Sequence, residues 1–210
     1  MTTDVLLFEP RYEGHHLPWS GMIAQTLIDA GLTVRFAHGQ APAQLIRFDD
    51  AFPLLRSKLD CITVPGDGSS LAELVAVSAD CKQILVPNLD AFASNMFRRA
   101  AILPSLPRTL HRKLFGIYHR PRPLDPSEGG VGIAWKRLGF NRLMKRNPLR
   151  GIGVLDEDLI EHIRGPVVWI PDFWRPLVPT GRDSAREAFG IPAHARALLF
   201  FGVSHRRKGL

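Results

Sequence analysis

Four short apolar runs recur at intervals in the first part of the chain: "DVLLF" (Asp4–Phe8), "LTVRFAHG" (Leu32–Gly39), "DCITVPG" (Asp60–Gly66) and "QILVPN" (Gln83–Asn88). Continuous apolar runs of this length suit strands buried on both faces, and parallel neighbours need a long crossover, usually helical. The stretches between them fit that need. "LPWSGMIAQTLIDAG" places Met22, Ile23, Leu27 and Ile28 on one helical face, with Gly31 suited to the C-terminal cap. "SSLAELVAVSAD" offers Ser69 or Ser70 as an N-cap. This alternation predicts an α/β fold, a Rossmann-like parallel sheet flanked by helices.

Further on, "KLFGIYHR" (Lys113–Arg120) reads as a strand, and "PRPLDPSEGGVG" as a loop from its proline and glycine content. "IAWKRLGFNRLMKRN" (Ile133–Asn147) reads as a basic helix stopped by Pro148. "RGIGVLD" and "GPVVWIPD" read as strands, with a helix "DEDLIEHIR" between them. "PDFWRPLVPTGRD" (Pro171–Asp183) is proline-rich without periodicity, as suits a linker. A short helix (Ser184–Phe189), "GIPAHA" and a strand "RALLFFG" (Arg196–Gly202) follow. The predicted domains are 1–170, a linker over 171–183, and the start of a truncated second domain over 184–210. The last strand has no partners of its own kind after the linker, so the chain reads as a fragment of a longer protein.

The net charge of +7 is unevenly placed. Residues 1–97 carry 6 basic and 11 acidic side chains, residues 98–150 carry 13 and 2, and residues 151–210 carry 8 and 7. The middle segment therefore calls for an anionic partner or surface. In its helix Lys136, Arg137, Arg142, Lys145 and Arg146 interleave with Trp135, Leu138, Phe140, Leu143 and Met144. Such a helix either lies on an anionic membrane face through 131–147, or packs its apolar side and solvates the rest. No recognition motif accompanies the charge, which argues against nucleic acid. The two cysteines, Cys61 and Cys81, lack CxxC spacing, and a pair of reduced, buried thiols is expected with no metal site. The start of the chain lacks a basic region and a cleavage site, and no apolar run approaches the ~20 residues of a membrane span; a cytoplasmic location is expected.

Ligands of open parallel sheets bind beyond the carboxyl ends of the strands, so the loops there hold the candidate residues. "EPRYEGHHLP" has one glycine, Gly14, followed by His15 and His16, and no GxGxxG fingerprint. The histidines either pack the helix start or contact a sugar hydroxyl. Asn88 and Asp90 in "PNLDAFASN" either cap a helix or bind ligand, and His119 follows a strand beside Arg120 and Arg122. "FGVSHRRKGL" sets Gly202 after an apolar strand and then Arg206, Arg207 and Lys208, a turn whose N–H groups and cations suit a diphosphate.

With these residues in view, the chain resembles a GT-B glycosyltransferase of the family-4 type. "VLLFEPRYEGHH" with the helix and "GLTVRFAHG" after it is similar to that family's opening strand, acceptor loop, first helix and second strand. "VVWIPDFW" resembles its interdomain strand and linker, and "AREAFGIPAHARALLFFGVSHRRKGL" its entry into the donor domain. The resemblance implies the N-terminal half of a GT-B fold and sugar transfer from a nucleotide-sugar donor to a sugar, lipid or small-molecule acceptor. Retention of configuration is the family tendency, and neither cofactor nor metal is required. Gly202 and Lys208 match the family's glycine and its KG lysine. Val203 stands where the family usually has arginine, leaving Arg206 or Arg207 to supply that charge. Gly14, with His15 and His16 beside it, matches the acceptor loop. The family's paired donor-binding glutamates find no match, so the isolated chain is expected to be inactive. The other readings are a nucleotide-sugar epimerase of the same architecture and a basic, non-catalytic α/β module binding anionic membrane or nucleic acid.

Overall fold

The computed structural model describes residues 2–11, 16–40, 48–49, 52–66, 68, 70–125, 127–146, 148–163, 165–171, 181–188 and 190–196. The chain divides into two compact units, Met1–Asp172 and Phe173–Leu210.

In the first unit seven strands form one sheet: β1 (Thr3–Glu9), β2 (Val34–His38), β3 (Asp60–Thr63), β4 (Cys81–Val86), β5 (Leu114–Tyr118), β6 (Gly151–Val154) and β7 (Val167–Trp169). Every neighbouring pair is parallel, in the order β3-β2-β1-β4-β5-β6-β7. This is the expected α/β, Rossmann-like sheet flanked by helices. β1 lies between β2 and β4, with Leu6 opposite Arg35 on one side and Ile84 on the other. Its Leu6, Leu7 and Phe8 are wholly buried. Each such side chain contributes roughly 1.5–3 kcal/mol on burial, which is why the most apolar strand takes the centre.

The two faces of the sheet carry separate cores. Leu7 and Phe36 point to the face covered by α1 (His16–Asp29) and by Phe48, Leu55 and Leu59 from the β2–β3 connection. Leu6 and Phe8 point to the other, covered by α2 (Leu71–Val77), α3 (Asp90–Ile102) and α4 (Val131–Lys145). In α1 the residues Ile23, Leu27 and Ile28 pack on the core as the sequence predicts. Leu17, Gly21 and Ala24 lie deeper, because Phe52 seats its ring where Gly21 has no side chain. Gly31 ends α1 at φ 79°, with Gly31 N–H donating to Ile28 O (2.8 Å) and Leu32 N–H to Leu27 O (3.1 Å). That pair of bonds is the Schellman closure, and the left-handed conformation it needs favours glycine.

Of the two candidate caps of α2, Ser70 serves and Ser69 lies outside the described residues. Ser70 Oγ accepts from Glu73 N–H (3.2 Å) and Glu73 Oε2 accepts from Ser70 N–H (3.0 Å), a reciprocal capping box. The expected helix over "DEDLIEHIR" is a 3-10 turn, Glu157–His162. Asp156 Oδ1 takes the Asp158 N–H (3.1 Å), and Ile163 N–H closes on Ile160 O three residues back (3.2 Å), so the short β6–β7 connection stays in the tighter winding. In the second unit α5 (Arg182–Ala188) ends at Gly190, φ 62°, and Arg186 donates to the carbonyls of Pro192 and Ala195. The predicted strand after Arg196 lies outside the described residues.

Candidate functional site

A sheet in the order 3-2-1-4-5-6-7 has its reversal between β1 and β4. From β1 the chain winds outward to β2 and β3, then crosses back and winds the other way. The loops leaving β1 and β4 therefore part in opposite directions at their carboxyl ends, and a crevice opens between them. The residues placed at that crevice are Glu9 at the end of β1, His16 at the start of α1, and Asn88 just past β4.

Glu9 is 2% exposed. Its Oε1 accepts from Arg11 N–H (3.2 Å), and its Oε2 lies 3.1 Å from His16 Nδ1. Apart from that ion-pair contact, Oε2 has no hydrogen-bond partner among the described residues. Burial pushes the Glu9 carboxyl above its ordinary range; the His16 ring and the Arg11 N–H oppose the rise without cancelling it. The Asn88 amide nitrogen lies 3.2 Å from His16 Nε2 and 3.3 Å from Nδ1. Its Oδ1 is buried and, among the described residues, likewise without a partner. Two buried acceptors thus stand beside one imidazole, Asn88 Oδ1 without a partner and Glu9 Oε2 with only its ion-pair contact to the ring. Native proteins leave few such groups, because each forgoes a bond it would make in water.

Asp90 and His119 sit beside this pair in a different role. The Asp90 carboxylate accepts from the backbone N–H of His119 (2.8 Å, Oδ2) and of Arg120 (3.0 Å, Oδ1). It thereby ties the first turn of α3 to the loop leaving β5. His119 Nε2 donates to Pro87 O (2.8 Å), and its ring lies 4.9 Å from that of Trp19, tilted by 58°. Trp19 is one turn along α1 from His16. The cap position of α3 is Leu89, which makes no side-chain cap, so neither Asn88 nor Asp90 is a helix cap.

His16, Asn88, Asp90 and His119 are therefore brought together at the carboxyl ends of the central strands. Gly14 and His15 lie outside the described residues, as do Gly202, Arg206, Arg207 and Lys208. Sequence reasoning missed Glu9, Trp19 and His38. His38 ends β2 directly opposite Glu9, is buried, and donates from Nδ1 to Gly39 O (2.7 Å). The signal for Glu9 was present in "LLFEP": a carboxylate closes an apolar run at the carboxyl end of a strand, where ligands of open parallel sheets gather. Both cysteines are free thiols, Cys81 buried and Cys61 half-buried, and burial raises both. Among the described residues no three of His, Cys, Asp and Glu converge as metal ligands would, and no helix is long and apolar enough to cross a membrane.

Fold and site together define a Rossmann-like α/β protein with a polar, partly unsatisfied cluster at its topological reversal. No protein-family model matches the chain, and no curated protein matches it either.

Proposed function

We propose that the unit Met1–Asp172 is the acceptor-binding half of a glycosyltransferase of the GT-B type, working in the cytoplasm and transferring a sugar from a nucleotide-sugar donor with retention. One observation carries the reading: Glu9 Oε2, held only by its contact with His16, and Asn88 Oδ1, without a partner among the described residues, are buried acceptors beside His16 at the carboxyl ends of β1 and β4. A polyhydroxylated ligand supplies what both lack, a pair of O–H donors on one small rigid frame. Hydrogen bonds to a charged acceptor contribute about 1.5–3 kcal/mol each, enough to select a sugar by the placing of its hydroxyls.

In this reading Glu9 and His16 hold and orient the acceptor hydroxyl, while Asp90 and His119 fix the loops around it. Arg206, Arg207 and Lys208, with Gly202 before them in the sequence, take the donor diphosphate. The charge that develops on the leaving phosphate makes those cations matter more than any single base.

The test is a thermal-shift titration of the chain with free and lipid-linked glycans, and separately with nucleotide sugars. A glycan is expected to raise the midpoint of the wild type and to lose that effect in His16→Ala and Asn88→Leu, both checked for retained fold by circular dichroism. If no glycan shifts the midpoint, or the shift survives both replacements, the acceptor reading is wrong.

A further inference from the structure

The exposed face of α4 is divided along its length. Val131, Trp135, Leu138, Arg142 and Lys145 recur at spacings of four, three, four and three residues, which places them on one stripe. The first three are apolar and exposed, at 90%, 44% and 40%. The last two are cationic. The opposite face, Phe140, Leu143 and Met144, is in the core, so α4 is already docked and the stripe is what it leaves outward.

The stripe continues onto α3. At Gly139 the two helices touch backbone to backbone: a β-carbon there would collide with the Phe97 carbonyl oxygen. Arg142 Nη1 donates to Ala101 O, which ties the cationic half of the stripe to the end of α3. Directly after Ala101 come Ile102 and Leu103, exposed at 76% and 51%, with exposed Arg98 one turn before Ile102. Five exposed apolar side chains and at least three cations thus lie on two helices packed side by side. The whole of residues 98–150 holds only two acids, Asp125 and Glu128.

We propose that this α3–α4 surface docks on an anionic lipid bilayer, with Trp135, Val131, Leu138, Ile102 and Leu103 entering the interface and Arg98, Arg142 and Lys145 meeting the headgroup charge. The partner follows from the pairing of chemistries. An aliphatic and indole surface gains by leaving water, and the flanking cations gain only against negative charge; a bilayer rich in anionic lipid offers both in one plane. A nucleic-acid backbone answers the cations and leaves the aliphatic groups stranded. A second copy of the chain answers the aliphatic groups and sets cation against cation. The surface is remote in sequence from Glu9, His16 and Asn88, and its docking stands whether or not those residues bind sugar.

The experiment is co-sedimentation of the full chain with phosphatidylcholine vesicles, with and without phosphatidylglycerol, over a salt series. Binding is expected only with the anionic lipid and is expected to weaken as salt rises. Trp135→Ser with Leu138→Ser is expected to lower partitioning by about tenfold or more. Arg98→Gln and Lys145→Gln are each expected to lower it by about fivefold. Quenching of indole fluorescence by brominated lipid is expected in the wild type and largely lost in the milder Trp135→Phe, which keeps the measurement decisive if the double replacement misfolds. The proposal is overturned by absence of binding to anionic vesicles, or by binding that ignores both Trp135 replacements. It is equally overturned by a salt-sensitive affinity for duplex DNA that exceeds the affinity for vesicles, or by a dimer in sedimentation that Trp135→Ser dissociates.

Discussion

Two carboxylates at opposite ends of β1 have their ionisation moved in opposite directions, and each move has a measurable consequence. Asp4 is held well below its usual value of 3.8, first by the Lys82 ammonium (2.7 Å) and then by the Thr33 N–H and hydroxyl (3.0 and 2.8 Å). The folded state favours its charged form, so that stabilisation is present above the unfolded pKa and is lost as pH falls below about 4. Asp4→Asn is accordingly expected to melt below the wild type at neutral pH, with the difference closing on acidification. Glu9 behaves in the reverse sense. Burial raises its folded-state pKa above 4.5, so the folded protein holds that proton to higher pH than the unfolded chain, and stability falls as pH climbs through the raised value. Glu9→Gln is expected to melt above the wild type at neutral pH, with the gap shrinking toward pH ~4.5. A melting difference that is flat with pH would mean that Glu9 carries no buried charge. If Glu9 also receives an acceptor hydroxyl, the same variant binds glycan less well while being the more stable protein, the trade expected where a site is kept unsatisfied for its ligand.

Among the elements, α3 and α4 pack as a pair whose closeness depends on one missing side chain. Gly139→Ala places a methyl against the Phe97 carbonyl and forces the helices apart, and a loss of about 1–3 kcal/mol is expected in urea denaturation. A silent Gly139→Ala would show that the pair has room to yield. Arg137 fastens the preceding loop: its guanidinium donates to the carbonyls of Pro123 (2.8 Å), Asp125 (2.7 Å) and Glu128 (2.9 Å). A lysine cannot span three carbonyls with that planar fork. Arg137→Lys is expected to leave the melting curve nearly cooperative while making residues 121–130 the first site of limited proteolysis; an unchanged cleavage pattern would remove this role.

The strands and the caps were legible in the sequence because each rests on local chemistry. A continuous apolar run buries both faces, a glycine after a helix takes the left-handed turn, and a serine three residues before a glutamate closes a capping box. α3 was less visible. Its core residues Ala93, Met96, Phe97, Ala100 and Ala101 keep helical spacing, but three are alanines and Arg98–Arg99 interrupts them, so the periodic signal is faint. β4 begins at Cys81, ahead of the run "QILVPN", because Lys82 and Gln83 are polar residues on an exposed stretch that only strand pairing reveals. The site was half legible. His16, Asn88, Asp90 and His119 follow strand ends, where ligand residues of such sheets gather. That Glu9 lies under His16, and that Asp90 spends its carboxylate on the backbone of another loop, depends on contacts between residues far apart in the chain.

For the molecule as a whole, the strand order ranks the strands by how hard they are to open. β1 and β4 are hydrogen-bonded on both sides, and β1 is also covered on both faces, whereas β3 and β7 are edges, with Val168 and Trp169 half exposed. Native-state hydrogen exchange is expected to be slowest in Leu6, Leu7, Phe8 and Ile84, and orders of magnitude faster in 60–63 and 167–169. Equal rates across the sheet would contradict the order β3-β2-β1-β4-β5-β6-β7.

Glu9 is the final residue of the least yielding of these strands, and so its carboxylate, held by the Arg11 N–H and the His16 ring, cannot swing aside to find solvent. On the acceptor reading proposed above, a ligand at the reversal point would meet groups whose placing was fixed when the chain folded. Selectivity under that reading would be rigid: an analogue with one hydroxyl moved would have nothing to bend toward it, and changing what is accepted would mean rebuilding the loops around the strand end, with the strand itself left alone.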